Sequence, residues 1–291
     1  VTADWAGGIG DPATGKLYAF GGGHNGSANN GLYCYDFTGL SRPTGFTLKE
    51  ISAVSAARRE DVTPGQSTQY TDGKPWAKHT YDSMVFVDDK IYIFGGGNYA
   101  AGTGPASNDN WKFANGTWTR LPDWPGTDYK LGTYITALDP VSKKVLVHSQ
   151  GGDKIYFFNT NNDTWISTYA GGITVGGSAG YSIGIYDTTR NRVLTIGNGS
   201  QWRRVWTVNW TNHTVTQNTY TPTGETTILD TPALTPIYDA VRDRIWILGG
   251  AIGYGSDTPG PGYYNLYEMN PSTFEVIKHP LHGDSFNPNE G

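Results

Sequence analysis

The side chains best suited to chemistry are two histidines and a scatter of carboxylates. His24 and His79, together with Asp82 or Asp153, would be the ligands of a transition metal, because imidazole and carboxylate groups commonly bind such ions. Their spacing matches no standard zinc motif, since the sequence has no His-x-x-x-His pair and only one cysteine. The sequence also lacks the Asp-x-Asp-x-Asp-Gly pattern of a calcium loop. We therefore expect no metal ion and no cofactor.

Covalent and acid–base chemistry also lack a well-defined set of residues. Cys34 is the single cysteine, and it stands between Tyr33 and Tyr35 in an alternating stretch where a small packed residue is expected. The carboxylates of Asp88 and Asp89 fall in a predicted hairpin turn, where such residues are usually solvated turn formers. The sequence therefore favours a non-catalytic protein, with a polysaccharide-acting enzyme as an alternative.

One pattern recurs along the chain: a basic residue, an alternating apolar and aromatic stretch, and a glycine break. It reads KLYAFGGG from Lys16, KIYIFGGG from Lys90, KVLVHSQG from Lys144, RVLTIGNG from Arg192 and RIWILGGA from Arg244. Each copy is preceded by a short strand pattern with an acidic turn, which predicts a β-hairpin. Each copy is followed by a second pair of strand patterns joined by turn residues such as Asn-Gly. The sequence therefore predicts five four-stranded units of roughly 50 residues each.

These units resemble kelch repeats, the blade type of the galactose oxidase central domain. The resemblance rests on the Gly-Gly break, the aromatic residues of the third strand and the tryptophans of the fourth strand, Trp118 and Trp165. It implies an all-β fold, a kelch-type β-propeller of four-stranded antiparallel blades, with five blades readable here and six or seven if the chain is incomplete. The copper-radical site of galactose oxidase needs a cysteine, two tyrosines and two histidines. Those residues cannot be matched by position here, so we expect a propeller without that site.

We expect a single propeller domain over residues 1–291. Its units are predicted at residues 1–54, 79–125, 129–172, 177–224 and 231–283. Residues 55–78 are predicted to be an inserted loop between the first two units, because the first two repeats are spaced more widely than the others. Since the strands of a blade alternate in direction, the loop after each second strand and the loop joining two blades should leave the same face. His24 and His79 are thus expected to share a face.

The candidate binding residues are the polar and aromatic side chains that follow the glycine breaks and the inserted loop. They are His24, Asn25, His79, Asn98, Tyr99, Asp153, Gln201, Trp202 and Tyr254. Aromatic rings stack on sugars or pack against a protein partner, while amide and carboxylate groups form hydrogen bonds. The glycine breaks do not indicate a phosphate cradle, because they lead into another strand and not into a helix. We expect a glycan- or protein-binding adhesion module, or alternatively a structural subunit of a filament, shell or appendage.

The composition limits the classes of binding partner and the cellular location that we expect. A net charge of -5, without an extended basic cluster, argues against nucleic acid, and no apolar stretch is long enough for helical insertion into a membrane. The low charged fraction of 16%, with 19 tyrosines and 10 tryptophans, is compatible with self-association. Six Asn-X-Ser/Thr sequons are compatible with a glycosylated protein at an extracellular, cell-surface or virion-surface location. They begin at Asn25, Asn115, Asn162, Asn198, Asn209 and Asn212.

Overall fold

The computed structural model describes residues 7–11, 13–21, 29–37, 47–55, 69–96, 107–126, 134–149, 152–171, 173, 183–196, 203–230, 235–248 and 265–279. Within these ranges the regular structure is β, apart from one 3₁₀ helix, Thr226–Asp230. None of the helical structure in this part of the chain has the length and hydropathy to cross a membrane. The chain forms two compact units, Val1–Ser178 and Ala179–Gly291.

The described part of the first unit contains three antiparallel sheets of four strands, which we number as blades one to three. Blade one consists of β1 (Gly7–Asp11), β2 (Lys16–Phe20), β3 (Leu32–Asp36) and β4 (Thr47–Ser52). Blade two consists of β5 (Met84–Val87), β6 (Lys90–Phe94), β7 (Asn110–Ala114) and β8 (Thr117–Leu121). Blade three consists of β9 (Tyr134–Asp139), β10 (Lys144–Ser149), β11 (Lys154–Asn159) and β12 (Thr164–Gly171).

The described part of the second unit contains two further sheets, blades four and five. Blade four consists of β13 (Ile183–Asp187), β14 (Arg192–Ile196), β15 (Arg204–Asn209) and β16 (Thr214–Thr219). Blade five consists of β17 (Thr223–Gly224), β18 (Thr235–Asp239), β19 (Arg244–Leu248), β20 (Leu266–Met269) and β21 (Glu275–His279). The short β17 pairs in parallel with β21, a pairing that the repeat pattern does not indicate.

Aspartate and asparagine side chains close most of the hairpins. The aspartates are the last residues of β1, β9, β13 and β18, and the asparagines end β11 and β15 or directly follow β20: Asp11, Asp139, Asp187, Asp239, Asn159, Asn209 and Asn270. Each side-chain oxygen accepts a hydrogen bond from a main-chain N–H of its turn, as Asp139 does from Ser142 N at 3.0 Å. The fourth residue after each adopts a positive φ, for example Asn191 at 52°. These turns fix the strand register, because the side chain satisfies N–H groups that the chain reversal would leave unpaired.

Side chains of the second strands alternate between two cores. In blade two, Ile91 and Ile93 pack in the core shared with blade one, whereas Tyr92 and Phe94 pack in the core shared with blade three. Positions two and four of the strand thus face the preceding blade, and positions three and five face the following blade. The second unit follows the same rule, with Leu194, Ile196, Ile245 and Ile247 in one core. The alternation has the period of two that a β-strand buried on both faces requires.

The five sheets confirm the predicted all-β fold, a propeller of four-stranded antiparallel blades. The apolar alternation that identified the repeats corresponds to β2, β6, β10, β14 and β19. In the sequence a glycine follows directly after each of these strands except β10, where Gln150 comes first.

Candidate functional site

The loop end of a blade is the end at which its second strand stops and its third strand begins; the opposite end is its turn end. In the first unit the described part of the loop end comprises Gly21 and residues 29–31, 53–55, 69–83, 95–96, 107–109 and 152–153. Residues 69–78 lie in the predicted inserted loop. Residues 71–73 are exposed, whereas residues 75–78 are buried, so the end of the loop packs against the first unit.

A buried ion pair lies at the loop end of blade two. Lys78 Nζ is 2.6 Å from Asp109 Oδ1, and both side chains are 0% exposed. The ammonium also donates to the main-chain oxygens of Gly95 and Asp109, each at 3.4 Å. The second carboxylate oxygen accepts a hydrogen bond from Trp111 Nε1. The ion pair thereby joins the segment before β5 to the last residue before β7 and to the glycine break after β6.

Burial and pairing act in opposite directions on this lysine. Burial lowers the pKa of Lys78, because an apolar environment disfavours the ammonium form, while the adjacent Asp109 carboxylate favours it. Removing two charges from water costs several kcal/mol per ion, and only a close partner with further hydrogen bonds offsets that cost. The geometry supplies both, so we interpret the pair as a fixed structural connection.

The second glycine of the break in blade two is required by close packing. Gly96 has a φ of 105°, a conformation that side-chain-bearing residues rarely adopt. A Cβ atom there would stand 2.8 Å from the main-chain oxygen of His79 and 3.3 Å from Lys78 Cβ. The glycine break therefore lets the segment that joins blades one and two pass directly over the end of β6.

Thr80 connects the same segment to blade one. Its hydroxyl donates to Phe20 O at 2.6 Å and accepts from Gly7 N at 2.5 Å. A Cβ at Gly7 would lie 2.4 Å from Tyr81 O, so a glycine is needed there as well. Two residues further on, Asp82 O accepts a hydrogen bond from Thr136 Oγ1 of blade three at 2.6 Å. Residues 80–82, which directly precede blade two, are thus hydrogen-bonded to blades one and three.

Asn30 anchors the chain where it enters β3. This side chain is fully buried, and its Nδ2 donates to Ser55 Oγ at 2.8 Å and to Pro75 O at 2.9 Å. Its Oδ1 accepts from Ser55 N at 2.8 Å, and Ser55 Oγ in turn donates to Asp72 at 3.1 Å. One amide therefore ties the entry to β3, the exit from β4 and the segment before β5 together.

Two of the predicted binding residues lie within the described ranges. His79 is 3% exposed, and its ring lies edge-to-face against Tyr81, with Nδ1 3.3 Å from the Tyr81 hydroxyl. Asp153 is exposed in the bend directly before β11, and its main-chain oxygen accepts from Ile173 N at 3.2 Å. The other candidates lie outside the described residues: His24, Asn25, Asn98, Tyr99, Gln201, Trp202 and Tyr254. Whether any of these side chains binds a ligand stays a prediction.

The described sequons lie at the turn ends of their blades. Asn115 is exposed in the turn between β7 and β8, with a φ of 50°. Asn162 and Asn212 are exposed and accept hydrogen bonds from the hydroxyls of Thr164 and Thr214, at 2.8 and 2.7 Å. Asn209 Oδ1 accepts from two main-chain N–H groups of its turn. Asn25 and Asn198 lie outside the described residues. Glycosylation stays a prediction.

Among the residues that the structure describes, no three histidine, cysteine, aspartate or glutamate side chains form a group that could hold a metal ion. Cys34 lies in the middle of β3, paired in register with Tyr18 of β2 and Lys49 of β4. It is buried, and burial raises the pKa of its thiol. These features are those of a packed core residue.

Sequence reasoning missed the residues that organise the loop end, namely Lys78, Asp109, Asn30 and Thr80. A signal was present, because Pro75, Trp76 and Ala77 form an apolar stretch inside the predicted loop, and such a stretch indicates burial. Nothing in the sequence indicates that a lysine next to this stretch would be fully buried, since lysine is almost always exposed unless it is paired.

No known family matches the sequence, and no curated protein matches it. Solved structures with a similar fold do exist. The structure of YjhT is similar with a TM-score of 0.61 and 15% identity, over 96% of this chain and 84% of that chain. A fungal alcohol oxidase of the AA5 family in complex with copper is similar with a TM-score of 0.53 and 16% identity, over 96% of this chain and 53% of that one.

A third similar structure is an auxiliary nutrient binding protein from Bacteroides thetaiotaomicron, with a TM-score of 0.50 and 10% identity, over 97% of this chain and 58% of that chain. The chain thus spans little more than half the length of the oxidase and of the nutrient binding protein. At these identities the likeness concerns the fold alone. It confirms the predicted resemblance to kelch-type propellers of the galactose oxidase kind.

Proposed function

We propose that this protein is a non-catalytic binding module that recognises a glycan or a protein partner at the loop end of its first unit, outside the cell or on a virion surface. The observation that carries the proposal is the fixed base of that loop end. The buried Lys78–Asp109 pair, the Thr80 bridge and the Asn30 anchor hold the loop attachments in blades one and two.

A fixed base matters for binding because ordering a loop at the moment of association costs free energy. Immobilising a side chain costs about 0.5–1.5 kcal/mol, and loops held in one geometry beforehand avoid part of that loss. The hydrogen bonds at the loop end join residues far apart in sequence, such as Thr80 to Phe20 and Asn30 to Pro75. The positions of the residues that flank the loops are therefore fixed by hydrogen bonds to distant parts of the first unit and do not depend on the conformation of the loops.

The residues carried by these loops have the chemistry of a recognition surface. In the first unit they include His24, Asn98 and Tyr99, together with the exposed Asp153 directly before β11. Flat aromatic rings stack on sugars and pack against protein partners, while amides and carboxylates select ligands by hydrogen bonding. His79 itself is buried and packs against Tyr81, so we assign it a supporting role at the loop end.

One of the structural neighbours is by its name a nutrient binding protein, which is in keeping with a binding role for this fold. Propellers serve many functions, so the proposal rests on the loop end of this chain and not on that neighbour.

The test is a glycan array together with affinity capture on surface glycoproteins. Tyr99→Ala and Asp153→Ala should each reduce binding at least roughly tenfold, because each removes a stacking or hydrogen-bonding group from the loop end. Asn115→Ala is the matched control, since Asn115 is exposed at the turn end of blade two and should leave binding unchanged. Equal effects of all three variants, or an unchanged affinity for both loop-end variants, would rule out this site.

A further inference from the structure

The outer edge of blade four is the side of β16 that faces away from β15. In a propeller the neighbouring blades cover the two faces of each sheet, so the outer edge of a fourth strand is a part of the sheet that no blade covers. Such an edge presents main-chain N–H and C=O groups that can pair with a further strand. Proteins usually protect it with charged residues, proline, a bulge or a covering segment.

The outer edges of the other four blades have such protection. In blade one, β4 carries Lys49 and Glu50 and has a register shift against β3. In blade two, β8 carries Arg120 and is followed directly by Pro122. In blade three, β12 has a register shift against β11. In blade five, β17 pairs with the outer side of β21, so the chain itself adds a strand to that edge.

The outer edge of blade four has none of these features. β16 reads TVTQNT, without a charged residue and without proline, and its six residues pair with β15 without a register shift. Within the described residues β15 is the only strand that pairs with it. The side chains of Thr214, Thr216, Asn218 and Thr219 are exposed. β16 is therefore a regular, uncharged edge strand, the kind of edge to which a further strand can be added.

The hydrogen bonds of blade four show which main-chain groups of β16 face outwards. Val208 N donates to Asn191 O at 3.2 Å, so the even-numbered residues of β15 bond towards β14 and the odd-numbered residues towards β16. Those odd-numbered residues stand opposite the even-numbered residues of β16. The N–H and C=O groups of Val215 and Thr219 therefore point away from β15, in the direction of an added strand.

We propose that two copies of this chain associate by antiparallel pairing of their β16 strands across a two-fold axis. The register that uses the whole strand sets Val215 opposite Thr219 of the second copy, and Thr216 opposite Asn218 of the second copy. Their main-chain groups then alternate between hydrogen-bonded and non-hydrogen-bonded pairs, as in any antiparallel ladder.

A second copy fits this edge because β16 is complementary to itself. All the side chains that the pairing brings together are uncharged, so no like charges oppose each other across the contact. Blade five shows that an outer edge of this protein can carry an added strand, since β17 pairs there with β21. The same surface is used on both copies, so assembly closes at the dimer.

The first test is sedimentation velocity of the purified chain from about 1 μM to about 1 mM, a range that includes weak dimers. The wild type should shift from monomer to dimer as the concentration rises. Thr216→Lys should weaken this association about tenfold or more, because the two-fold axis places two ammonium groups on the same side of the contact. Thr119→Lys is the matched control. Thr119 is exposed at the same third position of β8, an edge that Arg120 already protects, so its replacement should leave association unchanged.

A second variant tests the main chain of the edge. Thr219→Pro removes an N–H group that points away from β15, and proline is tolerated on an edge strand in that position. The variant should keep its fold, which circular dichroism checks, and should dimerise about tenfold more weakly than the wild type.

The third test determines the register. In a Cys34→Ala background, Thr216→Cys and Asn218→Cys are made as two separate variants, mixed and oxidised. Directly opposite residues of a non-hydrogen-bonded pair have Cα atoms about 4.5 Å apart, which is within the range of a disulfide. The mixture should form a disulfide-linked pair of copies, and either variant alone should form much less.

The proposal is wrong if the wild type stays monomeric at every concentration. It is also wrong if Thr216→Lys and Thr119→Lys weaken association equally, because the contact would then not lie at β16. A dimer that keeps its full affinity in Thr219→Pro would exclude pairing through the main chain of the edge. Cysteine variants that cross-link as readily alone as in the mixture, or not at all, would exclude the proposed register.

Discussion

Replacing Asp109 with asparagine tests whether the buried ion pair holds the loop end together. The substitution keeps the size of the side chain and removes its charge, so Lys78 would keep a buried ammonium without a counter-ion at 2.6 Å. Breaking a buried pair by removing one partner typically costs about 3–5 kcal/mol, because the remaining charge is uncompensated. We expect Asp109→Asn to lower the free energy of unfolding by that amount.

The loss should be visible in both thermal and chemical unfolding. For chains of this size each kcal/mol shifts the melting temperature by about 2–4 °C, so the variant should melt roughly 6–20 °C lower than the wild type. Because the chain forms two compact units, the transitions are best assigned locally. Hydrogen exchange followed by mass spectrometry should show the loss of protection in residues 76–96 and 107–126 and little change in residues 203–230.

Asp123→Asn is the matched control, since it makes the same chemical change in an ion pair at the surface. Asp123 is 2.7 Å from Arg120, and both side chains are more than 40% exposed. Such a pair contributes at most about 1 kcal/mol. The double variant Lys78→Met, Asp109→Leu should recover most of the lost stability, because apolar residues of similar size often replace a buried pair without cost. If Asp109→Asn destabilises the chain no more than Asp123→Asn, the reasoning is wrong.

Three further outcomes follow from the same structure. Gly96→Ala should lower the free energy of unfolding by about 2–4 kcal/mol, and Gly116→Ala by about 1 kcal/mol. Both glycines have a positive φ, but only a Cβ at Gly96 would meet a main-chain oxygen. Urea unfolding of the two variants measures the difference. Asn30→Ala should cost about 2–3 kcal/mol through its lost buried hydrogen bonds and should speed proteolysis within residues 69–78. The Arg190 guanidinium holds the pKa of Asp243 at about 2, below the value of about 3.9 in an unfolded chain. That carboxylate thus adds stability above a pH of about 4 that is lost as the pH falls towards 2, and acid titration of the Asp243→Asn variant should lack this loss.

The blades could be predicted from the sequence because their signal is local and repeated. The apolar alternation from Lys90 to Phe94, its acidic turn and its glycine break each reflect a constraint within a few residues, and five copies in phase exclude a chance pattern. The turn asparagines and aspartates are likewise local, since Asp139 satisfies N–H groups of its own turn. These features predict a propeller of four-stranded antiparallel blades before any contact between blades is known.

The candidate site was predicted only in outline. The sequence predicts His79 as a binding residue, and the structure shows its side chain buried and packed against Tyr81. That burial depends on how residues 69–83 pack against the ends of the sheets, which no local pattern specifies. The hydrogen-bond partners of Lys78 and Asn30 lie 31 and 45 residues away in the sequence. Without the tertiary structure, a lysine and an asparagine at these positions are predicted to be exposed.

The sequence by itself thus determines the strands, their turns and the two-sided packing of each blade, because these depend on side-chain period and turn chemistry. The tertiary structure alone decides which polar groups are buried together. Lys78 becomes a buried cation because three separate segments exclude water around it. Burial is a property of the assembled fold and cannot be read from the residue type alone.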